Sequence, residues 1–122
     1  MSYGKTIIVE DDNAIRASLE DICRDWMNVE PRVAASAGDG VELIMANLPA
    51  VVMLDLTLPD HDGAWVVEQV CARGAAGDVR FIVLSAQTAV GEKAGNLGAF
   101  AYLAKPFSLS DVIAILEQAG AR

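Results

Sequence analysis

Five short apolar runs alternate with stretches that carry apolar residues at three- and four-residue spacing, which leaves this chain few ways to fold. The runs fall at 5–10 (KTIIVE), 32–36, 50–54 (AVVML), 79–84 (VRFIVL) and 100–104. Helical periodicity covers 12–27, with Ile15, Leu19, Ile22, Cys23 and Trp26 on one stripe. It returns at 39–48, with Gly38 and Gly40 at its entry, at 63–72, and after a Ser108 cap through Gln118. A further helix is expected over 88–97. The run at 50–54 has no polar alternation, as in a strand buried on both faces. Strict alternation of such strands with helices predicts an α/β fold, a parallel sheet with helices on both faces.

The 122 residues suit one domain, expected over 1–122, that can bury a core without disulfides or a structural metal. Hydrophobic residues make up 53%, too many for a disordered segment. No apolar run reaches the roughly 18 to 20 residues that span a bilayer, so no membrane insertion is expected. The first residues lack the order of a secretory signal, and a cytoplasmic location is the default expectation. Acids outnumber bases by 17 to 9, a balance that argues against direct nucleic-acid binding, which needs a surplus of lysine and arginine. Cys23 and Cys71 are too few and too far apart for a disulfide framework or a zinc site; both are expected reduced, in the core or half-buried.

In a doubly wound sheet, ligands bind at the carboxyl ends of the central strands. Glu10, Asp11 and Asp12 follow the first run, Asp55 the third, Ser85 the fourth, and Lys105 with Pro106 the fifth. Several carboxylates, one hydroxyl and one ammonium are thus expected to converge in one crevice. Carboxylates that close repel unless a cation lies among them. An all-oxygen donor set of this kind suits Mg²⁺. Solvated loop acids are the plain alternative for any one of them, but not for the set with a lysine opposite.

The residues as a set resemble a bacterial two-component receiver domain, from about Lys5 to Gln118. The family's acidic pair matches Glu10 and Asp11 in IIVEDD, and its phosphoacceptor aspartate matches Asp55 in VVMLDLTLPDHDG, where Pro59 and Gly63 also fit. Its Thr/Ser matches Ser85 in FIVLSA, its lysine and proline match Lys105 and Pro106 in YLAKPF, and its switch aromatic matches Tyr102. The resemblance implies strand order 2-1-3-4-5 in a (βα)5 fold, and phosphorelay signalling rather than enzymatic turnover. It implies that Asp55 accepts a phosphoryl group from a sensor histidine kinase or histidine phosphotransfer protein. Mg²⁺ would be held by Glu10, Asp11, Asp55 and the backbone carbonyl of Thr57, with Asp12 as an accessory acid. Lys105 would offset phosphoryl charge, and Ser85 and Tyr102 would form the switch read by a downstream protein target; Tyr102 as a plain edge-strand aromatic is the alternative.

One departure bears on that surface. The stretch between Ser85 and Lys105 is slightly shorter than the family's usual one and places Gly91 and Gly95 inside the expected helix. Each interior glycine costs a helix about 1 kcal/mol relative to alanine. A poorly protected segment over 89–98 is therefore expected, on the face where receivers dimerise or meet targets; a homodimer is one such outcome. Gly98 matches the family's glycine before the fifth strand.

Other functions fit less well. The chain could be a free-standing receiver or part of a longer regulator or hybrid kinase. An aspartate-nucleophile phosphatase needs a second acid two positions after its nucleophile, where this chain has Thr57. A flavin-binding relative would need a phosphate-cradling first loop, and this one is acidic. His61 is expected as a solvated loop residue, Trp26 and Trp65 as core or half-buried, and Phe107 as packing under the last helix. Asp60 and Asp62 are expected in turn or helix-cap roles.

Overall fold

The computed structural model describes residues 5–75, 77, 79–85 and 98–120. Strands β1 (Thr6–Val9), β2 (Arg32–Ala34), β3 (Val51–Asp55), β4 (Arg80–Ser85) and β5 (Ala101–Ala104) form one parallel sheet in the order β2-β1-β3-β4-β5. The described helices are α1 (Asn13–Asp25), α2 (Ala37–Asn47), α3 (Gly63–Ala72) and α4 (Leu109–Ala119). This is the expected doubly wound architecture. The expected helix over 88–97, and with it the expected weak protection of 89–98, lies outside the described residues apart from Gly98, which has a φ of 70°.

The period of two along each strand divides the core between the two faces. Ile7, Val9, Val52 and Leu54 pack with Val41 and Ile44 of α2 and with Val66, Val67 and Val70 of α3. Ile8, Val51, Met53, Ile82 and Leu84 pack with Leu19 and Cys23 of α1 and with Val112 and Leu116 of α4. Every residue of β1 and β3 is buried, which explains the unbroken apolar reading of 50–54.

Three sequence expectations need correction. The second helix starts at Ala37 rather than 39, so Gly38 and Gly40 lie inside its first turn. Trp26 is 60% exposed: α1 ends at Asp25, the chain turns back through Asn28 at a φ of 54°, and Met27 fills the core place instead. Cys71 is free, as expected, but exposed rather than core or half-buried; it lies about 40° around the helix beyond Val67, past the edge of the stripe formed by Val66, Val67 and Val70. Cys23 is buried, where desolvation pushes its thiol up to about 12. Trp65 and Phe107 are partly buried against the two core clusters, as expected.

Candidate functional site

The sheet's hydrogen-bond ladder continues one residue past the strands and so sets the height of the candidate residues. Glu10 N donates to Ala34 O at 3.0 Å, Leu56 N to Leu84 O at 3.0 Å, and Lys105 N to Ser85 O at 2.8 Å. Glu10, Asp55, Ser85 and Lys105 therefore stand side by side at the carboxyl edge. The Lys105–Pro106 peptide is cis. Glu10, Asp55 and Ser85 are buried, Asp11 is exposed, and Tyr102 is 52% exposed on the edge strand β5.

Glu10, Asp11 and Asp55 each offer a carboxylate oxygen within 4.8 Å of the others. Asp12 stands apart from this trio. Its Oδ1 accepts from Ile15 N at 3.0 Å and caps α1, so its carboxylate serves the helix instead of joining the other three. Its own N–H donates to Glu10 Oε2 at 3.2 Å. The Lys105 ammonium lies 2.7 Å from Glu10 Oε1 and 3.1 Å from Asp55 Oδ2. Only the Asp55 contact is aligned as a hydrogen bond; among the described residues the buried Glu10 Oε1 has no aligned hydrogen-bond partner. Thr57 N donates to Asp55 Oδ1 at 3.0 Å, so both oxygens of Asp55 are oriented.

The electrostatics follow from three carboxylates facing one ammonium. Burial pushes Glu10 up to about 7, helped by a hydrogen bond to Asp55 that only protonated Glu10 can donate, and opposed by Lys105. Burial works against the Lys105 charge, but Glu10 and Asp55 outweigh it and hold its pKa above the ordinary range. Among the described residues, the crevice holds excess negative charge and a buried carboxylate oxygen without an aligned donor. Its donors are all oxygen. That set fits a hard divalent cation such as Mg²⁺.

The surrounding loops show what the sequence reading missed. Arg16 of α1 donates through Nη1 to Glu10 O at 2.9 Å and fastens α1 to the site. Asp60 accepts from Ala37 N at 2.8 Å and Gly38 N at 2.9 Å, across 23 and 22 residues. Asp62 caps α3 by accepting from Trp65 N at 2.9 Å, as expected. His61, exposed in the same loop, stacks on Trp65 with ring centroids 3.8 Å apart, a pairing of i and i+4 that its solvated reading did not include. A Cβ on Gly63 would meet Asp55 O at 2.7 Å, so the loop closes against the strand only with glycine there.

Comparison with known proteins gives one consistent result. The family profile of the response regulator receiver domain matches residues 6–117. The transcriptional regulatory protein PdtaR of Mycobacterium tuberculosis is 34% identical over 121 residues, covering 97% of this chain and 57% of the relative. The response regulator MprA of a Mycobacterium species (strain KMS) is 36% identical over 115 residues, 90% of this chain and 47% of the relative. The chain thus spans about half the length of the curated relatives it matches. A CheY-like receiver domain protein from Methanospirillum hungatei superposes with a TM-score of 0.83 at 26% identity, covering 96% of this chain and 93% of that one. The receiver domain of a Pseudomonas aeruginosa sensor histidine kinase, with a magnesium ion coordinated in its active-site cleft, has the same fold. Its TM-score is 0.86 at 22% identity, covering 99% of this chain and all of that one. By the family match over nearly its whole length, this chain belongs to the receiver domains of two-component response regulators.

Proposed function

We propose that Asp55 is the phosphoacceptor of a single receiver domain over 1–122, loaded from a phosphohistidine on a sensor histidine kinase or histidine phosphotransfer protein. One observation carries this reading: within the acidic trio, Asp55 accepts an aligned hydrogen bond from the Lys105 ammonium at 3.1 Å on one oxygen and from Thr57 N at 3.0 Å on the other, whereas the Glu10 oxygen nearest Lys105 makes no aligned bond. An Asp55 oxygen attacks phosphorus, the phosphorus–nitrogen bond to the donor breaks, and the freed imidazole takes up a proton. The Thr57 N–H and Lys105 hold the nucleophile in one orientation, and Lys105 offsets negative charge on the transferring oxygens. Glu10, Asp11, Asp55 and the Thr57 carbonyl would hold Mg²⁺, which when bound supplies further charge neutralisation for the phosphoryl group. The magnesium ion in the Pseudomonas domain of the same fold supports that choice of cation.

Ser85, buried at the end of β4, would hydrogen-bond the new phosphoryl group, and the exposed Tyr102 would turn inward as Ser85 moves. A downstream protein target, or a second copy of the chain, would read that change. An apolar cavity of about 600 Å³, lined in part by Ile15, Ile22, Phe107 and Leu109, adjoins Lys105 and supports a protein as phosphoryl donor. Among the described residues no helix is long and apolar enough to cross a membrane. The acidic balance supports a protein partner over nucleic acid, and membership of the response regulators supports a cytoplasmic site of action. The domain assists its own phosphorylation without turning over a substrate as an enzyme does.

The test is labelling by acetyl phosphate, read by intact mass. Wild-type protein should gain one phosphoryl group with Mg²⁺ and none with chelator, and Asp55→Ala should gain none. Labelling that survives Asp55→Ala, or that ignores the chelator, overturns the assignment.

A further inference from the structure

The loop between β3 and α3 runs from the phosphoacceptor position and is fastened at three places. Near its start Thr57 N donates to Asp55 Oδ1 at 3.0 Å. At its end Thr57 pairs with Asp62 across an antiparallel bridge, and Gly63 N donates to Leu56 O at 2.9 Å. At its tip the Asp60 carboxylate grips two successive N–H groups of a different element, Ala37 and Gly38, the first two residues of α2.

Those donors matter because a helix start leaves its first N–H groups without partners inside the helix. Ser36, the local cap, supplies only the third, accepting from Asp39 N at 3.2 Å. Asp60 supplies the first two with one carboxylate oxygen each, and these two bonds hold its pKa below the usual carboxylate range. The helix it grips is itself fixed, since Val41 and Ile44 of α2 are buried against Ile7 and Val9. The tip is thereby tied to the core.

We propose that Asp60 is a positioning residue for the phosphoryl site. By anchoring the loop tip to α2 it fixes Thr57, whose N–H orients Asp55 and whose carbonyl is the proposed Mg²⁺ ligand. The inference rests on the phosphoacceptor reading above. Groups that orient metal ligands without touching the metal change affinity when removed, often by a large factor. A residue that only caps α2 changes the stability of that helix and nothing at the site. The two roles therefore separate by measurement.

Mg²⁺ binding to the folded protein, followed by calorimetry, and the rate of labelling by acetyl phosphate give the decisive readouts. Asp60→Ala should weaken Mg²⁺ binding on the order of tenfold and slow labelling to match. Asp60→Asn, which keeps one acceptor, should fall between it and the wild type. Ser36→Ala removes the local cap of the same helix; it should lower the melting temperature yet leave Mg²⁺ affinity within about twofold. A Cβ on Gly38 would stand 3.3 Å from Asp60 Oδ2, so Gly38→Ala should weaken Mg²⁺ binding when Asp60 is present and have no effect in the Asp60→Ala background. If Asp60→Ala and Asp60→Asn bind Mg²⁺ as the wild type does and only melt earlier, Asp60 is a cap and the proposal is overturned. Wild-type protein that binds Mg²⁺ but is never labelled would overturn the phosphoacceptor reading instead, while the calorimetric comparison still decides the role of Asp60.

Discussion

Two sets of carboxylates crowd the same end of this sheet, and they are held in opposite ways. Asp12, Asp60 and Asp62 each accept from backbone N–H groups at the start of a helix, so their negative charge meets donors and the positive end of a helix dipole. Glu10, Asp11 and Asp55 face one another, with the Lys105 ammonium as the one cation among the described residues there. The first set stabilises the fold whether or not a ligand is present. The second costs stability until positive charge arrives. An acid at a strand end is thus not functional by type or by location; what separates the sets is whether the protein itself satisfies the charge.

The largest expected effect breaks the two sets apart by chemistry. Asp55→Asn should abolish labelling by acetyl phosphate, whereas Asp62→Asn, equally near in sequence to the loop, should label at a rate within about twofold of the wild type, since a cap is worth only about 1 kcal/mol of stability. Comparable losses in the two variants would mean that the loop acids share the site's chemistry and that the division is wrong.

Next comes pH. Glu10 is displaced from 4.5 to about 7 in the folded protein, so between those values the native state holds a proton that the unfolded chain has released. Stability in the absence of metal should therefore fall as pH rises through this window, by about 3 kcal/mol at the upper bound. Asp60 has the opposite sign. Its pKa is lowered, so its contribution is complete above the ordinary aspartate range and is lost only on acidification. Urea unfolding in chelator at pH 5 and pH 7.5 checks this: the wild type should be weaker at the higher pH, and Glu10→Gln should lose most of the difference. A stability unchanged or rising over that interval contradicts a proton held on Glu10.

Metal should offset the same strain. Only the folded chain assembles the trio, so Mg²⁺ at about ten times its dissociation constant should add about 1.4 kcal/mol and raise the melting temperature. Asp11→Asn should shrink that response and stabilise the metal-free protein, because it removes one like charge. No such gain is expected from Asp12→Asn, whose carboxylate is bound to Ile15 N. A melting temperature indifferent to Mg²⁺ would show that the three oxygens do not act together.

What could be read from the sequence follows the same division between local and distant partners. The strands and helices were legible because periodicity and caps are local, as were the acids at strand ends, since each follows directly from its own strand. Gly38 and Gly40 suggested a later start for α2, because low helix propensity was visible and the donor-satisfying carboxylate of Asp60, 22 and 23 residues on, was not. Arg16 reads as one more helix-surface charge until α1 is placed beside the Glu10 carbonyl. Trp26 keeps the spacing of the α1 stripe, but the helix ends one residue before it, and the turn at Asn28 gives the core position to Met27.

The smallest expected effect tests the satisfied set at a member whose partner is local. Asp62 caps α3 through one bond to Trp65 N at 2.9 Å, and its loss leaves that N–H to water. Asp62→Ala should cost about 1 kcal/mol in urea unfolding, with Asp62→Ser recovering most of it, since serine also caps. The cost should be the same with chelator and with Mg²⁺, because the bond spans three residues and touches no member of the trio. Asp62 also pairs through its backbone with Thr57, but a side-chain substitution leaves that bridge in place. A cost that grows when Mg²⁺ is added would mean that the cap and the site are coupled, and that the satisfied acids of this loop are tuned for the phosphoryl site as a group rather than through Asp60 alone.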